Sequence, residues 1–197
     1  MPRTIFEKPD AVALVAEVFR ELGYEGASMS NITARTKLSK GSLYHFFPGG
    51  KEQMAAEIIA HIDAWFVVDM FKPLEEGEPR AAIRNMWETA DRYFRSGRRI
   101  CLIGAFALDE TRDRFANAIR GYFHRWIEAL AGALTRAGLI SIEAQALAEE
   151  AVVGIQGALM LARALGDETV FGRTLERLKQ RLEAALGQAA SPARITS

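Results

Sequence analysis

The amino-acid sequence predicts an all-α protein in two parts, a small N-terminal three-helix unit and a larger C-terminal helical domain. Apolar residues recur three and four positions apart along almost the whole chain, which is the spacing of amphipathic helices. No alternating β-branched run is bounded by turn residues, so no strand is predicted. Helix length changes after Gly50, where short helices give way to long ones. The predicted bounds are 1–50, 51–188 and, for a flexible tail, 189–197.

Composition limits the partners and the compartment. The 197 residues include 25 basic and 25 acidic side chains, so the whole molecule is not a polycation, and a nucleic acid must be met by a local patch. The single Cys101 excludes an internal disulfide, and no uninterrupted apolar stretch reaches the roughly 18 residues of a membrane span. We expect a cytoplasmic protein without a membrane partner.

The small unit is predicted to contain three helices. The first begins at Pro9, a favoured first-turn residue, and ends at Leu22 before Gly23. Ser28 and Ser39 are predicted to cap a second and a third helix of about two turns each. Two short helices joined by a tight turn and packed on the first have helix-turn-helix geometry. The side chains expected at this contact are Phe19, Ile32, Leu38, Leu43 and Phe47.

The large domain is predicted to contain five longer helices, separated by glycine and proline stops. Their expected bounds are 51–72, 79–96, 109–137, 142–165 and 167–186. The apolar segment 100–110 is too short for a full-length helix, so one or two buried helical turns are expected there. The chain from Gly187 onward has no periodic apolar face and is expected to fray.

Positive charge is concentrated on the small unit. No acidic residue occurs between Glu25 and Glu52. The basic residues of this stretch are Arg35, Lys37, Lys40 and Lys51. Each of them can neutralise a DNA phosphate and release counterions, which supplies affinity without sequence information. The bases must therefore be read by the third helix.

The stretch SKGSLYH suits the first turn of a recognition helix, the part that enters the major groove. Gly41 has no side chain to hold the backbone off the DNA, and Ser42 and Tyr44 offer hydroxyls. Lys40 can reach a guanine edge or a phosphate, and His45 can donate a hydrogen bond to a phosphate. The alternatives are that Tyr44 packs on the protein and that His45 is a solvated surface histidine.

The combined pattern in this region is specific. It consists of Leu22-Gly23-Tyr24, Ser28, Ile32, Ser39-Lys40-Gly41-Ser42-Leu43-Tyr44, Phe47 and Lys51-Glu52. It resembles the N-terminal domain of the tetracycline-repressor (TetR) family of bacterial transcription regulators and covers about a quarter of the chain. The Pro-Gly-Gly turn before Lys51 and the cysteine-containing segment 100–109 are similar to the subgroup around the lincomycin-resistance repressors. The resemblance implies a homodimer that binds operator DNA and releases it when a small molecule enters the larger domain.

The resemblance also implies site residues. Base contacts would fall on Lys40, Gly41, Ser42 and Tyr44, and phosphate contacts on Ser28, His45 and Lys51. The chain departs from the family pattern at Thr33 and Lys37, which replace the usual alanine and glycine. A lysine at a positive φ angle costs about 1 kcal/mol. Phe46 replaces a histidine or tyrosine that touches phosphate, and phenylalanine cannot donate a hydrogen bond.

Aromatic side chains crowd the middle helices, which suggests a ligand cavity. Several carry a polar atom that needs a partner when buried, and pockets between helices are lined in this mixed way. The expected lining residues are His61, Trp65, Trp87, Phe94, Phe106, Phe115, Tyr122, Trp126, Gln156 and Met160. Few charges occur among them, so a largely apolar, aromatic and neutral ligand is expected. The alternative is a filled aromatic core.

The last two helices each carry an apolar stripe that would suit a four-helix dimer interface. One stripe is small and aliphatic, and the other is rich in leucine. The expected interface residues are Ala151, Gly154, Ala158, Leu161, Leu165, Phe171, Leu175, Leu178 and Leu182. The alternative is that these stripes pack inside one subunit. A dimer would place two recognition helices in successive major grooves.

The sequence carries no catalytic or metal signature. It has no HExxH pair, no GxSxG elbow, no clustered cysteines and histidines, and no glycine-rich phosphate loop after a strand. We therefore expect no enzyme activity, no metal and no cofactor. The expected function is a DNA-binding repressor that a small molecule releases from its operator. The alternative is a helical carrier of apolar molecules whose basic face is incidental.

Overall fold

The computed structural model describes residues 7–108 and 110–190, and these residues fold into ten α-helices and contain no strand. The predicted all-α class is therefore confirmed. A π-helical stretch, Val67–Phe71, and a 3₁₀ turn, Glu110–Asp113, connect some of the helices. The α-helices are α1 Lys8–Gly26, α2 Met29–Thr36, α3 Lys40–Phe46, α4 Gly50–Phe66, α5 Lys72–Glu76, α6 Pro79–Phe94, α7 Leu102–Ala107, α8 Ala116–Arg136, α9 Ser141–Leu165 and α10 Thr169–Ala190.

The chain divides into two compact units. The first unit comprises Met1–Ala64 and Cys101–Arg120, and the second comprises Trp65–Ile100 and Gly121–Ser197. The boundaries cut through α4 and α8, so both helices contribute residues to each unit. The division predicted at Gly50 concerns which residues bind DNA and stays a prediction, because compactness alone does not test it.

Both predicted serine caps of the short helices are present. Ser28 Oγ accepts a hydrogen bond from Asn31 N at 3.2 Å, and Ser39 Oγ accepts one from Ser42 N at 3.0 Å. Each bond satisfies a backbone donor that the first helical turn leaves without a partner. α1 is longer than predicted, because the chain bends at Gly23 (φ +70°) and then completes another turn. Glycine adopts this left-handed conformation without the steric cost of a side chain.

The core of the three-helix unit forms as the apolar spacing predicts. Phe19, Ile32, Leu43 and Phe47 are fully buried, and Leu38 is nearly so. Residues four apart on one short helix place their side chains on the same face, so this phase directs Leu43 and Phe47 inward. The other face of α3 remains available to solvent.

The segment from Cys101 belongs to the first unit and continues its core. α7 packs along α1, and the Phe106 ring meets the rings of Phe19 and Tyr24 edge-on at 6.0 and 6.2 Å. Cys101 is buried, and its Sγ accepts a hydrogen bond from Gly104 N at 3.3 Å at the start of α7. This confirms the short buried helix predicted for segment 100–110.

Two of the predicted long helices are interrupted or shortened. The helix expected over 109–137 begins only at Ala116, because a 3₁₀ turn and Phe115 precede it. The helix expected over 51–72 changes to π-helical geometry at Val67–Phe71 before continuing as α5. At the other end of the chain α10 includes 187–190, four residues that were expected to fray; residues 191–197 lie outside the described part.

The second unit is held together by close packing of α6, α9 and α10. A Cβ placed on Gly154 of α9 would lie 2.7 Å from Leu178 Cδ1 of α10, so glycine is what permits this approach. A Cβ on Gly97 would lie 2.7 Å from Phe171 Cβ, and Gly97 also has a left-handed backbone (φ +92°). These two glycines fix where α10 lies against its neighbours in this unit.

None of the helices in the described ranges is long and apolar enough to cross a membrane. The same residues contain no group of three histidine, cysteine or carboxylate side chains arranged to hold a metal ion.

Candidate functional site

The exposed face of α3 presents the side chains predicted to meet DNA. Lys40, Gly41, Tyr44 and His45 are exposed, and Ser42 is half-buried. Tyr44 keeps 43% of its surface open to solvent, so the alternative that it packs on the protein is not what the structure shows. One short helix therefore has a core face and an open polar face in the phase that the sequence predicts.

The polar side chains of α3 support one another. Lys40 Nζ lies 5.9 Å from the centre of the Tyr44 ring, at the limit of a cation–π contact. The hydroxyls of Ser39 and Ser42 are 2.9 Å apart and share a hydrogen bond. A Cβ on Gly41 would meet only Ser39 Oγ, at an ordinary 3.7 Å. The fold therefore leaves room for a side chain at position 41.

Lys51, a predicted phosphate contact, is used inside the protein. Its Nζ donates to Tyr24 O at 3.1 Å and lies 3.4 Å from Glu25 Oε2. The same ammonium is 4.2 Å from the centre of the Tyr24 ring. Lys51 can serve a phosphate only if it gives up some of these contacts, so its role in DNA binding stays a prediction.

Tyr24 is the centre of a cluster that joins three parts of the first unit. It is buried, stacks on Phe19 at 5.7 Å and meets Phe115 at 6.4 Å. Burial raises the pKa of the Tyr24 phenol, although Arg114 opposes this shift by its charge and by a hydrogen bond. Arg114 also lies 3.9 Å from Glu52 at the start of α4. The segment before α8 is thereby tied to the end of α1 and the start of α4.

The turn between α2 and α3 has a positive φ angle at Lys37, the position where the family pattern has glycine. Lys37 has φ +61°, and its backbone N donates to Thr33 O at 3.0 Å. Phe46 is half-buried and meets the rings of His45 and Phe47 edge-on at 5.4 and 6.4 Å. It therefore joins the margin of the core, and its position offers DNA no hydrogen-bond donor.

The residues predicted to line a ligand cavity are divided between the two units. His61, Phe106 and Phe115 belong to the first unit. The members in the second unit are Trp65, Trp87, Phe94, Tyr122, Trp126, Gln156 and Met160. Two predicted positions point outward: His61 is exposed, and Met160 is 59% exposed on the outer face of α9. Helical spacing alone did not distinguish these outward positions from inward ones.

An aromatic cluster occupies the core of the second unit. Phe66 is at its centre, with ring centroids 4.6 Å from Tyr93, 5.1 Å from Tyr122 and 5.4 Å from Trp126. Phe66 and Tyr93 were absent from the predicted lining. Phe66 lies four residues after Ile62 on one face of α4, and this spacing marks it as buried without indicating its neighbours.

Two polar atoms of the second unit are buried without a hydrogen bond. Trp126 Nε1 and Gln156 Nε2 find no acceptor among the described residues, and Trp126 is fully buried. Leaving such a donor without a partner costs about 1–3 kcal/mol. Buried donors of this kind are satisfied by water or by a bound molecule that carries an acceptor.

Trp87 lines a separate, shallow groove between α6 and α10. Leu182 and Leu186 form its apolar wall, and Arg80 and Arg84 border it. Arg80 Nη2 donates to Leu186 O at 3.1 Å, which holds one of these guanidinium groups against the end of α10. The groove is open to solvent and can accept only a small group.

Most of the predicted dimer residues have partners inside the subunit. α9 packs along α10. Seven residues of the two predicted stripes are buried or half-buried in the single chain, as the alternative interpretation holds: Ala151, Gly154, Ala158, Phe171, Leu175, Leu178 and Leu182. Leu161 and Leu165 are exposed, and so are Val153 and Met160 of the same helix. The exposed members of the predicted interface lie on the outer face of α9, and the interface itself stays a prediction.

Two family models match the chain. Residues 13–58 match the model described as "Bacterial regulatory proteins, tetR family", and residues 79–177 match "Transcriptional regulator LmrA/YxaF-like, C-terminal domain". An uncharacterized HTH-type transcriptional regulator of Mycobacterium tuberculosis is 28% identical over 187 residues, which cover 89% of this chain and 93% of that protein. The regulator LmrA of Bacillus subtilis is 40% identical over 48 residues, or 24% of this chain and 26% of LmrA.

Solved structures show the same fold. A TetR transcriptional regulator from Legionella pneumophila has a TM-score of 0.76 at 22% identity, with 91% of this chain and 99% of that chain covered. The regulator CifR, solved with a 26-bp double-strand operator DNA, has a TM-score of 0.63 at 23% identity, with 97% and 100% covered. Together with the family models that match its two parts, this fold shows that the chain belongs to the TetR family of bacterial transcription regulators and carries an LmrA/YxaF-like C-terminal domain.

Proposed function

We propose that this protein is a ligand-responsive repressor that binds its operator as a homodimer and leaves it when a small, largely apolar or aromatic molecule binds the second unit. Members of this family are DNA-binding transcription regulators and not enzymes. The observation that supports DNA recognition most directly is the exposed polar face of α3, from Lys40 to His45. Repression of transcription is favoured over activation, because a protein bound at an operator blocks polymerase without further machinery. This function places the protein in the cytoplasm, with the DNA.

In the proposed complex the first turn of α3 enters the major groove. Lys40, Gly41, Ser42 and Tyr44 contact bases, and His45 contacts a phosphate. Ser28 supplies a further phosphate contact at the start of α2, and Lys51 supplies one at the start of α4 by exchanging its contacts with Glu25 and the Tyr24 carbonyl for a phosphate. CifR, which has this fold, was solved with a 26-bp operator duplex, and this supports operator binding by the present chain. In Ser28 the hydroxyl oxygen caps α2, so its hydrogen is free to reach a phosphate oxygen.

Direct DNA binding tests this proposal. Fluorescence anisotropy would compare a labelled duplex from immediately upstream of the protein's own coding region with a random duplex of equal length. We expect tighter binding to the upstream duplex and an affinity that falls steeply as salt rises. Equal binding to both duplexes at moderate salt would remove the regulator hypothesis and favour the carrier of apolar molecules.

The outer face of α9 is the proposed dimer contact. Leu161 and Leu165 are large and exposed there, as are Val153 and Met160. Gly157 lies on the same helix, and a Cβ added to it would meet nothing within 4 Å, so a second helix could approach closely at that point. An apolar face of this kind is stabilised when a second copy covers it.

Leu161→Glu is expected to dissociate the dimer, because it places a charge in the apolar contact. We expect a loss of about 2 kcal/mol or more per protomer, measured by sedimentation equilibrium. Val68→Glu is the matched control, since Val68 is an exposed aliphatic residue outside α9. A dimer that survives Leu161→Glu with unchanged affinity would move the interface to another surface.

The proposed effector is neutral and aromatic and carries a hydrogen-bond acceptor. The aromatic side chains of the second unit favour ring stacking, and the unpartnered Nε1 of Trp126 requires an acceptor. Gln156 Nε2 is a second donor without a partner in the described chain. A molecule that satisfied either donor would gain affinity over an equally apolar molecule without an acceptor.

Tryptophan emission tests this effector class, since Trp65, Trp87 and Trp126 all belong to the second unit. Pairs of aromatic compounds that differ only in a carbonyl group would be compared. We expect the carbonyl member to bind about 10-fold more tightly, to shift the emission and to weaken DNA binding. In Trp126→Phe this preference should shrink while the ring packing remains. Equal affinity of the two members for the unmodified protein would contradict the proposed role of the donor.

A further inference from the structure

Lys37 occupies a backbone conformation that does not suit a lysine. Its φ angle of +61° is left-handed, a region that glycine enters freely and other residues enter at a steric cost. The turn around it is held by side-chain hydrogen bonds. Thr36 Oγ1 donates to Ile32 O at 2.7 Å and accepts from Leu38 N at 3.2 Å. With Thr36 and Leu38 both buried, these bonds keep Lys37 left-handed in spite of its side chain.

The side chain of Lys37 gains nothing inside the protein that offsets this cost. It is exposed and takes part in no ion pair or hydrogen bond with the residues that the structure describes. Other basic residues of the same region differ. Arg35 pairs with Glu21 of α1, and Lys51 contacts Glu25 and the Tyr24 carbonyl. Acidic groups of α1 thus neutralise two of the four basic residues between Glu25 and Glu52.

The basic residues of this stretch that have no acidic partner in the described chain are therefore Lys37 and Lys40, which lie close together in the sequence. Lys37 and Lys40 are both exposed and stand on either side of Ser39, the residue that caps α3. Three residues of chain span at most about 10 Å. Phosphates of one DNA strand rise by about 3.4 Å each, so two lysines this close can meet neighbouring phosphates. They also flank the helix start that enters the groove.

We propose that Lys37 contacts the DNA backbone and extends the interface from α3 onto the turn that precedes it. The contact rests on the proposed DNA-binding function and adds a residue at a position where the family pattern has glycine. Lys37 supplies affinity without sequence information, because an ammonium group on a phosphate reads charge and not bases. In this proposal the left-handed Lys37 lowers the stability of the free protein and raises its affinity for DNA.

The test combines a binding measurement with a stability measurement on Lys37→Gly. Salt titrations would use the upstream duplex and the random duplex. We expect the slope of log affinity against log salt to become shallower by about 0.9 per protomer. Affinity should fall by about 5-fold per protomer at 0.15 M salt, equally for both duplexes. The melting temperature should rise by about 2–4 °C, because glycine relieves the left-handed strain.

Three further variants make the result decisive. Lys37→Arg keeps the charge and should keep the slope, whereas Lys37→Gln removes the charge without supplying glycine and should lose it. Lys72→Ala removes an exposed lysine of α5 in the second unit and should leave the slope unchanged. If Lys37→Gly and Lys37→Gln both gave the same salt slope as the unmodified protein, the proposed contact of Lys37 with the DNA backbone would be wrong. The proposed DNA-binding function would stand. Failure of the unmodified protein to bind either duplex would overturn the proposed function as well.

Discussion

Tyr44→Ala is expected to weaken binding to the operator by about 1–3 kcal/mol per recognition helix, which is the usual loss for one base contact. Tyr44 is 43% exposed, and its ring supports the Lys40 ammonium at 5.9 Å, so alanine removes both a hydroxyl and the group that positions Lys40. The variant should fold normally, since the core face of α3 is formed by Leu43 and Phe47. The affinity measured by anisotropy should therefore fall, while the melting temperature should stay unchanged.

Two matched variants separate the roles of ring and hydroxyl. Tyr44→Phe keeps the ring beside Lys40 and removes only the hydroxyl, so a loss equal to that of Tyr44→Ala assigns the contact to the hydroxyl. Lys40→Ala tests the ammonium on the same face. Base contacts predict a larger loss on the operator than on a random duplex. If all three variants bound the two duplexes as the unmodified protein does, the face of α3 from Lys40 to His45 would not be the reading surface.

The helix-turn-helix could be predicted closely because its signals are local. Ser28 and Ser39 lie directly before the helices that they cap, and each bonds a backbone N–H three residues ahead. The division of α3 into a core face and an open face follows from the 3.6-residue period, which places Leu43 and Phe47 on the inner side. These features depend on neighbours along the chain and not on the rest of the fold.

The use made of each basic residue could not be predicted, because it depends on distant parts of the chain. Arg35 is separated by 14 positions from its partner Glu21, and Lys51 by 27 from the Tyr24 carbonyl. Charge counting places both among the DNA-facing cations, whereas the fold gives both an internal partner. Only the structure distinguishes these from Lys37 and Lys40.

The sequence could not assign the two apolar faces of α9 to their partners for a related reason. Small residues at Ala151, Gly154 and Ala158 indicate close helix packing without identifying the partner helix. In the structure Gly154 admits Leu178 of the same chain. A helix packed against its own neighbour and against a second copy needs two apolar faces, and a periodic pattern shows their presence but not their assignment.

Two helices join the two units along the chain. α4 begins in the first unit and continues into the second, and α8 does the same. Just before α8, Arg114 contacts Tyr24 and Glu52 within the first unit. We infer that a shift of α8 on effector binding reaches the end of α1 and the start of α4 through these side chains.

Phe66→Ala is expected to destabilise the protein by about 3–5 kcal/mol, which is typical of removing a fully buried aromatic ring. The ring lies within 5.4 Å, centroid to centroid, of Tyr93, Tyr122 and Trp126, so its loss leaves a cavity among side chains that are too rigid to close it. Urea unfolding followed by tryptophan fluorescence would measure the change in midpoint. The m-value should stay constant if the unfolded state is unaffected.

Phe66→Leu and Trp126→Phe are the comparison variants for this loss of stability. Leucine refills part of the cavity, so Phe66→Leu should recover a substantial part of the stability. Trp126→Phe removes a buried donor that has no acceptor among the described residues, so it should cost less than an aromatic deletion of similar volume. If the core is packed, Phe66→Ala should lower the free energy of unfolding by a large amount and Trp126→Phe by a small amount. Effector binding should be weakened mainly by Trp126→Phe. A small loss for Phe66→Ala would instead indicate that the cluster is loosely packed around space for a ligand.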